Sequence, residues 1–127
     1  MKTRPIKSPL APKAAGGYAQ ALEVESASRL LFISGQIPES AAGELAPTFE
    51  EQARQAWQNV FAQLAAAGMK AENLVKVTTF LASREYALAN RAVRNEVLGS
   101  HAPALTVVIA GIFDERWLLE IEAIAVA

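Results

Sequence analysis

Thr48-Phe49-Glu50-Glu51-Gln52-Ala53-Arg54-Gln55-Ala56-Trp57-Gln58-Asn59-Val60-Phe61-Ala62-Gln63-Leu64 carries the strongest structural signal in the chain. Thr48 to Glu51 form a capping box: the threonine hydroxyl can accept from the amide three residues on, and the Glu51 side chain can reach back. Behind it, Ala53, Ala56, Trp57, Val60, Phe61 and Leu64 recur at helical spacing and make one apolar stripe. Gly68 supplies the stop. The spacing predicts an amphipathic helix of about five turns with one face to bury.

Towards the C-terminus, residues 74–82 are β-rich, with Val75, Val77, Thr78, Thr79 and Phe80. Ser83 is the expected N-cap of a second helix reaching about Leu98, with Tyr86, Ala89, Asn90, Val93 and Val97 along one side and Gly99 closing it. Residues 104–109 read as a strand, 111–115 as a turn, and 117–126 as the last strand. Towards the N-terminus, residues 18–24 and 30–35 are two short apolar-rich runs separated by Glu25, Ser26 and Ser28. They predict a hairpin, without an Asn-Gly or Asp-Gly turn to fix it. Residues 36–47 read as a loop, and residues 1–16, basic and proline-rich, as a loose arm. The fold class expected is α+β over a single domain, residues 1–127, in the order β-β-α-β-α-β-β. Two helices would lie on one face of a mixed sheet.

The other face of that sheet is informative. In the last strand, Trp117, Leu119, Ile121, Ala123 and Ala125 share one side, and Leu118, Glu120, Glu122, Ile124 and Val126 share the other. A solvated sheet face should be polar, and neither side is fully so. Large aliphatics mixed with two carboxylates point to an interface between copies.

Composition excludes several functions. With 52% hydrophobic and 20% charged residues in 127, there is material for a core. The net charge is −1 and no basic stripe appears, which argues against a nucleic-acid partner. Cysteine is absent and His101 is the single histidine, so disulfides, thiolate chemistry and an ordinary zinc site are not available. No apolar run approaches the ~18 residues of a membrane span, and the N-terminus lacks the apolar core of a signal peptide. A cytoplasmic location without membrane association is expected.

Several segments resemble one family in order along the chain. They are Gly17-Tyr18-Ala19-Gln20, Phe32-Ile33-Ser34-Gly35-Gln36-Ile37-Pro38, Asn59-Val60 ahead of Ala66-Ala67-Gly68, and Val75-Lys76-Val77-Thr78-Thr79-Phe80-Leu81. Asn90, Pro103-Ala104 and Glu120-Ile121-Glu122-Ala123-Ile124-Ala125-Val126 complete the set. The chain is similar to RidA/YjgF proteins from about Tyr18 to its end. The resemblance implies a chorismate-mutase-like fold assembled as a homotrimer, with small-molecule clefts at the subunit interfaces. It also implies a hydrolase, an imine deaminase that converts reactive enamines and imines to 2-oxo acids and ammonia with no cofactor.

Carried over by residue, the resemblance makes Glu120 the catalytic proton carrier and places Tyr18, Ser34, Gly35 and Asn90 at the substrate. In the family an arginine two residues after the proline clamps the substrate carboxylate, and here Leu105 occupies that position. Thr106 and Val107 follow it, with backbone groups facing the same cleft; many members carry a cysteine where Val107 stands. An arginine fork grips a carboxylate through two charge-assisted hydrogen bonds. Removing one partner of a buried charge pair costs about 3–5 kcal/mol, or roughly two to four orders of magnitude in rate. Arg116, Arg84, Arg91 and Arg94 are alternative cations, each expected to be a solvated surface charge. Otherwise the ligand is neutral, smaller or more apolar.

Ser34 has no base partner, so nucleophilic catalysis is not expected, and the phosphate-cradling glycine loop is also missing. Glu122 reads as a rim carboxylate and His101 as a loop residue. Two functions remain open. One is an enamine/imine deaminase with a substrate range altered at Leu105; the other is a non-catalytic small-metabolite-binding trimer with a regulatory or partner-binding role. An RNA-cleaving activity has neither paired histidines nor an aromatic stacking platform.

Overall fold

The apolar stripe that begins at Ala53 is buried but for Phe61, which is partly exposed: Ala53, Ala56, Trp57, Val60 and Leu64 are each at most 1% exposed. They belong to helix α1, Phe49–Ala66, in a computed structural model that describes all 127 residues. Thr48 caps the helix by accepting from the Glu51 amide at 3.3 Å. At the other end Gly68 takes φ +70°, while the Met69 and Gly68 amides donate to Leu64 and Ala65 oxygens at 2.8 and 3.0 Å. That is a Schellman stop, which a Cβ at position 68 would strain.

The remaining elements are strands β1 (Lys2–Ile6), β2 (Ala21–Glu25), β3 (Leu30–Gln36), β4 (Leu74–Leu81), β5 (Ala104–Ile109) and β6 (Leu119–Val126), with helix α2 (Ala87–Leu98). Ser83 caps a short 3₁₀ turn, Arg84–Tyr86, which leads into α2. The main sheet has the order β3-β6-β4-β5. β6 runs antiparallel to β3 and β4, whereas β4 and β5 are parallel and joined through α2, the crossover a parallel pair requires. The sheet is mixed and both helices lie on one face, as the sequence pattern requires. Leu74, Val77, Leu81, Leu119, Ile121, Ala123 and Ala125 close the core beneath them. Phe49 and Tyr86 stack at 4.7 Å between ring centroids and tie α1 to the turn before α2.

Two N-terminal expectations are corrected. Residues 2–6 are a strand, not part of a loose arm, and pair antiparallel with β2, with Lys2 opposite Glu25 and Ile6 opposite Ala21. The runs at residues 18–24 and 30–35 do not form a hairpin, because β2 pairs with β1 and β3 pairs with β6. The reason lies in the link between them. Ser26 turns the chain with φ +59°, and the Ser28 and Arg29 amides both donate to the Ala127 oxygen at 2.8 and 2.9 Å. The C-terminus thus captures the chain and directs it alongside β6.

The face away from the helices carries Leu30, Phe32 and Ser34 of β3, Glu120, Glu122 and Ile124 of β6, and Lys76, Thr78 and Phe80 of β4. Leu30 is 62% and Phe32 69% exposed.

Candidate functional site

β3 holds its register against β6 from Leu30 to Ile33 and resumes it at Gln36, so Ser34 and Gly35 bulge out of the ladder. Glu120, on the open face opposite Phe80, fills the space beside the bulge. A Cβ built on Gly35 would lie 2.8 Å from Glu120 Cδ and 3.1 Å from Cγ, so glycine at 35 is what admits the carboxyl. Asn59 on α1 holds the segment after the bulge, donating to the Ile37 and Glu39 oxygens at 2.8 and 2.9 Å. The result is a partly buried carboxyl against a stretch of backbone freed from its sheet partners.

A shallow cavity of about 270 Å³ extends from Ser34 across Phe32, Lys76, Thr78, Glu122 and Ile124. Lys76 Nζ donates to Thr106 Oγ1 at 2.6 Å, which places the Thr106 side chain on this same face. A larger hollow of about 540 Å³ lies on the N-terminal hairpin, lined by Lys2, Thr3, Arg4, Glu23 and Glu25, and touches none of the candidate residues.

Tyr18, Asn90, Leu105 and Val107 lie away from this bulge. The Ala19 amide donates to the Pro103 oxygen at 3.0 Å and Ala19 bridges to Ala104, which sets Tyr18 beside the start of β5. The Tyr18 hydroxyl accepts from the Ala15 amide at 3.2 Å. Leu105 lies level with Val77, on the helix-bearing face, half-buried against the core; Val107 lies level with Thr79 and is 40% exposed. Asn90 on α2 is 3% exposed.

One chain therefore does not assemble the predicted site. Glu120 and Leu105 are on opposite faces of the sheet, on strands separated by β4, and three residues apart along it. Strand spacing and rise put them about 10 Å apart in each direction. The structure brings Ser34, Gly35 and Glu120 together, and sets Tyr18 near Leu105 at the start of β5.

Arg94 overturns its expected place as a surface charge. It is one helical turn beyond Asn90 and only 4% exposed, with its guanidinium 5.8 Å from the centre of the Tyr18 ring. Its Nη2 donates to the Gly16 oxygen at 3.4 Å, and its buried Nε has no partner. Burial, with Arg91 adding to it, pulls the guanidinium below the usual arginine range, and Tyr18 partly opposes this. Arg84 and Arg91 are exposed, and Arg116 is bound to Asp114 at 2.7 Å. Its spacing, one turn after Asn90 and three residues before Val97 on the side of α2 that carries the apolar positions, was the signal available in sequence.

His101 Nε2 lies 2.7 Å from the Leu74 oxygen, a structural contact. No three of the chain's His, Asp or Glu side chains gather closely enough to hold a metal ion. No helix is long and apolar enough to cross a membrane.

Residues 8–127 match the family model described as Endoribonuclease L-PSP. The 2-iminobutanoate/2-iminopropanoate deaminase of Mus musculus is 36% identical over 124 residues, covering 95% of this chain and 89% of the mouse protein. Two solved structures superpose with a TM-score of 0.74. RidA from the Antarctic bacterium Psychrobacter sp. PAMC 21119 is 29% identical, covering 98% of this chain and 99% of its own. E. coli TdcF with bound serine is 31% identical, covering 98% of each chain. The fold is thus shared along nearly the whole length, and the chain belongs to the RidA/YjgF family.

Proposed function

We propose that the protein is an enamine/imine deaminase that hydrolyses a reactive imine to a carbonyl compound and ammonia, with its substrate range altered at Leu105. The observation that carries this reading is the Glu120 carboxyl seated on the Ser34-Gly35 bulge. Hydrolysis of an imine adds water across C=N and then breaks the C–N bond. Glu120 takes a proton from water as the water oxygen bonds to the imine carbon, and returns that proton to the nitrogen to give the carbinolamine. It then takes the carbinolamine hydroxyl proton and passes it to the amine as the carbonyl forms, the C–N bond breaks and ammonia leaves. No cofactor is needed for these steps.

In this reading the Ser34-Gly35-Glu120 group and the side of the chain around Tyr18 and Leu105 are two half-sites, completed by a second copy in a homotrimer with the ligand between subunits. The exposed Leu30 and Phe32 on the open face support this, as does the uncovered edge strand β5, where Val107, Val108 and Ile109 are each 38–40% exposed. A cytoplasmic location fits a chain without cysteine. The non-catalytic metabolite-binding trimer is the second reading, favoured by the leucine at position 105.

Ammonia release from freshly generated 2-aminoacrylate and 2-iminobutanoate tests the proposal, using the wild type, Leu105→Arg and Glu120→Gln. Release that Glu120→Gln abolishes supports the deaminase. Release at background in both the wild type and Leu105→Arg leaves the binding protein.

A further inference from the structure

Arg94 is the one buried cation in the chain, and none of the three ion pairs includes it. A guanidinium removed from water is costly unless an anion and hydrogen-bond acceptors replace its hydration. Within the chain it has a Tyr18 ring face and one long bond to the Gly16 oxygen, and Nε has nothing. Its planar fork is suited to a carboxylate, and no Asp or Glu of the chain pairs with it.

Its position narrows what the anion belongs to. Tyr18, on which the guanidinium packs, adjoins the Ala19–Ala104 bridge, and Leu105 is the next residue. Over the guanidinium runs Gly16-Gly17, with φ +114° and +77°. A Cβ at Gly17 would come within 3.2 Å of Arg94 Nη2 and would also overlap Asn95 Oδ1, so only glycine passes this close. The strap is held to Arg94 by the 3.4 Å bond alone, the contact most easily exchanged for a charged acceptor.

We propose that Arg94 is the cation that binds the carboxylate of a small 2-oxo- or 2-imino-acid ligand in the Tyr18 half-site, the carboxylate replacing the Gly16 oxygen. The inference deepens the deaminase reading and rests on it for the ligand class. Leu105 then marks a charge supplied from α2 instead of β5, and the substrate keeps its carboxylate.

The test uses the full-length protein, with 2-oxobutanoate and its neutral methyl ester as probes. In the wild type, the Arg94 Nε–H signal in ¹H–¹⁵N spectra should move with 2-oxobutanoate and not with the ester. Arg94→Gln should weaken 2-oxobutanoate binding roughly 10- to 100-fold and erase its advantage over the ester. Arg94→Lys, which keeps charge without the fork, should fall between. The Nε–H measurement needs no variant, so it stands even if Arg94→Gln fails to fold. An unmoved Nε–H signal, equal binding of acid and ester, or full-strength binding by Arg94→Gln overturns the proposal. So does loss of assembly in Arg94→Gln, seen by light scattering, with unchanged binding per folded chain, because the counter-ion would then belong to a second copy. Arg94-dependent binding without ammonia release would sink the deaminase reading alone.

Discussion

Glu120 occupies, beside Gly35, the volume that any larger side chain at position 35 would take. The overlapping atoms are the far end of a side chain that can swing towards solvent, so Gly35→Ala should fold normally and displace the carboxyl. Ammonia release should fall at least tenfold, since misplacing a reacting group by about 1 Å costs up to 100-fold, while the melting temperature stays within a few degrees of wild type. A variant that retains activity would show that the carboxyl need not sit against the bulge.

Gln52, 2% exposed, joins two stretches of backbone to α1. Its Nε2 donates to the Ala46 and Arg116 oxygens at 3.0 and 3.3 Å, and its Oε1 accepts from the Leu118 amide at 2.9 Å. Gln52→Leu preserves the volume and leaves those groups without partners in the interior. At about 1–3 kcal/mol for each unsatisfied group, with partial relaxation, the loss should be about 2–4 kcal/mol. Urea unfolding measures it; a change under 1 kcal/mol would mean that water reaches the site.

Much of this architecture could be read from the residues themselves. Thr48 and Gly68 bound α1 because cap chemistry is local, and residues 104–109 are a strand as their β-branched run suggests. β1 was hidden because Lys2–Ile6 has no alternating pattern and contains Pro5; only its partner makes it a strand. The hairpin misreading has the same origin, since the competing partner of β3 is 90 residues away at the C-terminus. For the site, Gly35 and Glu120 were both visible, but their contact depends on a bulge that no periodicity reports. The division into two half-sites follows from strand order, which puts β4 between β5 and β6.

Arg54 donates to Glu96 through Nε at 2.9 Å and Nη2 at 3.3 Å, and this bond, then its charge, holds the Glu96 carboxyl below the usual range. A lowered folded value means that the unfolded chain takes up the proton first. The pair's contribution is therefore present above the ordinary glutamate value of about 4.3 and is lost as pH falls through the lowered folded value. Both side chains are about half exposed, so the effect on stability is small and salt-sensitive. A carboxyl NMR titration should find the Glu96 midpoint depressed, and Arg54→Gln should return it to the ordinary range. An unchanged midpoint would show that the pair does not persist in solution.

If the open face is covered by another copy, Phe32→Glu should release monomers, because a carboxylate on an apolar contact must be desolvated. Light scattering gives the mass, and ammonia release should fall with it as the half-sites separate. Folded monomers with full activity would mean that one chain suffices.

Subunit mixing tests the two half-sites most directly. Glu120→Gln keeps the Tyr18 half intact, and Tyr18→Ala keeps the Glu120 half; each variant alone should be below a tenth of wild-type activity. In a cyclic trimer every interface is heterologous, taking one half-site from each neighbour. Unfolding and refolding equal amounts together distributes the subunits at random, so about one interface in four joins two unaltered halves. The mixture should recover about a quarter of wild-type ammonia release per site, while the two proteins mixed without refolding stay inactive. If refolding restores nothing although native mass spectrometry shows mixed trimers, both halves must come from one chain. The sheet would then have to let Glu120 and Leu105 act across its opposite faces, with β4 between their strands, which needs a rearrangement.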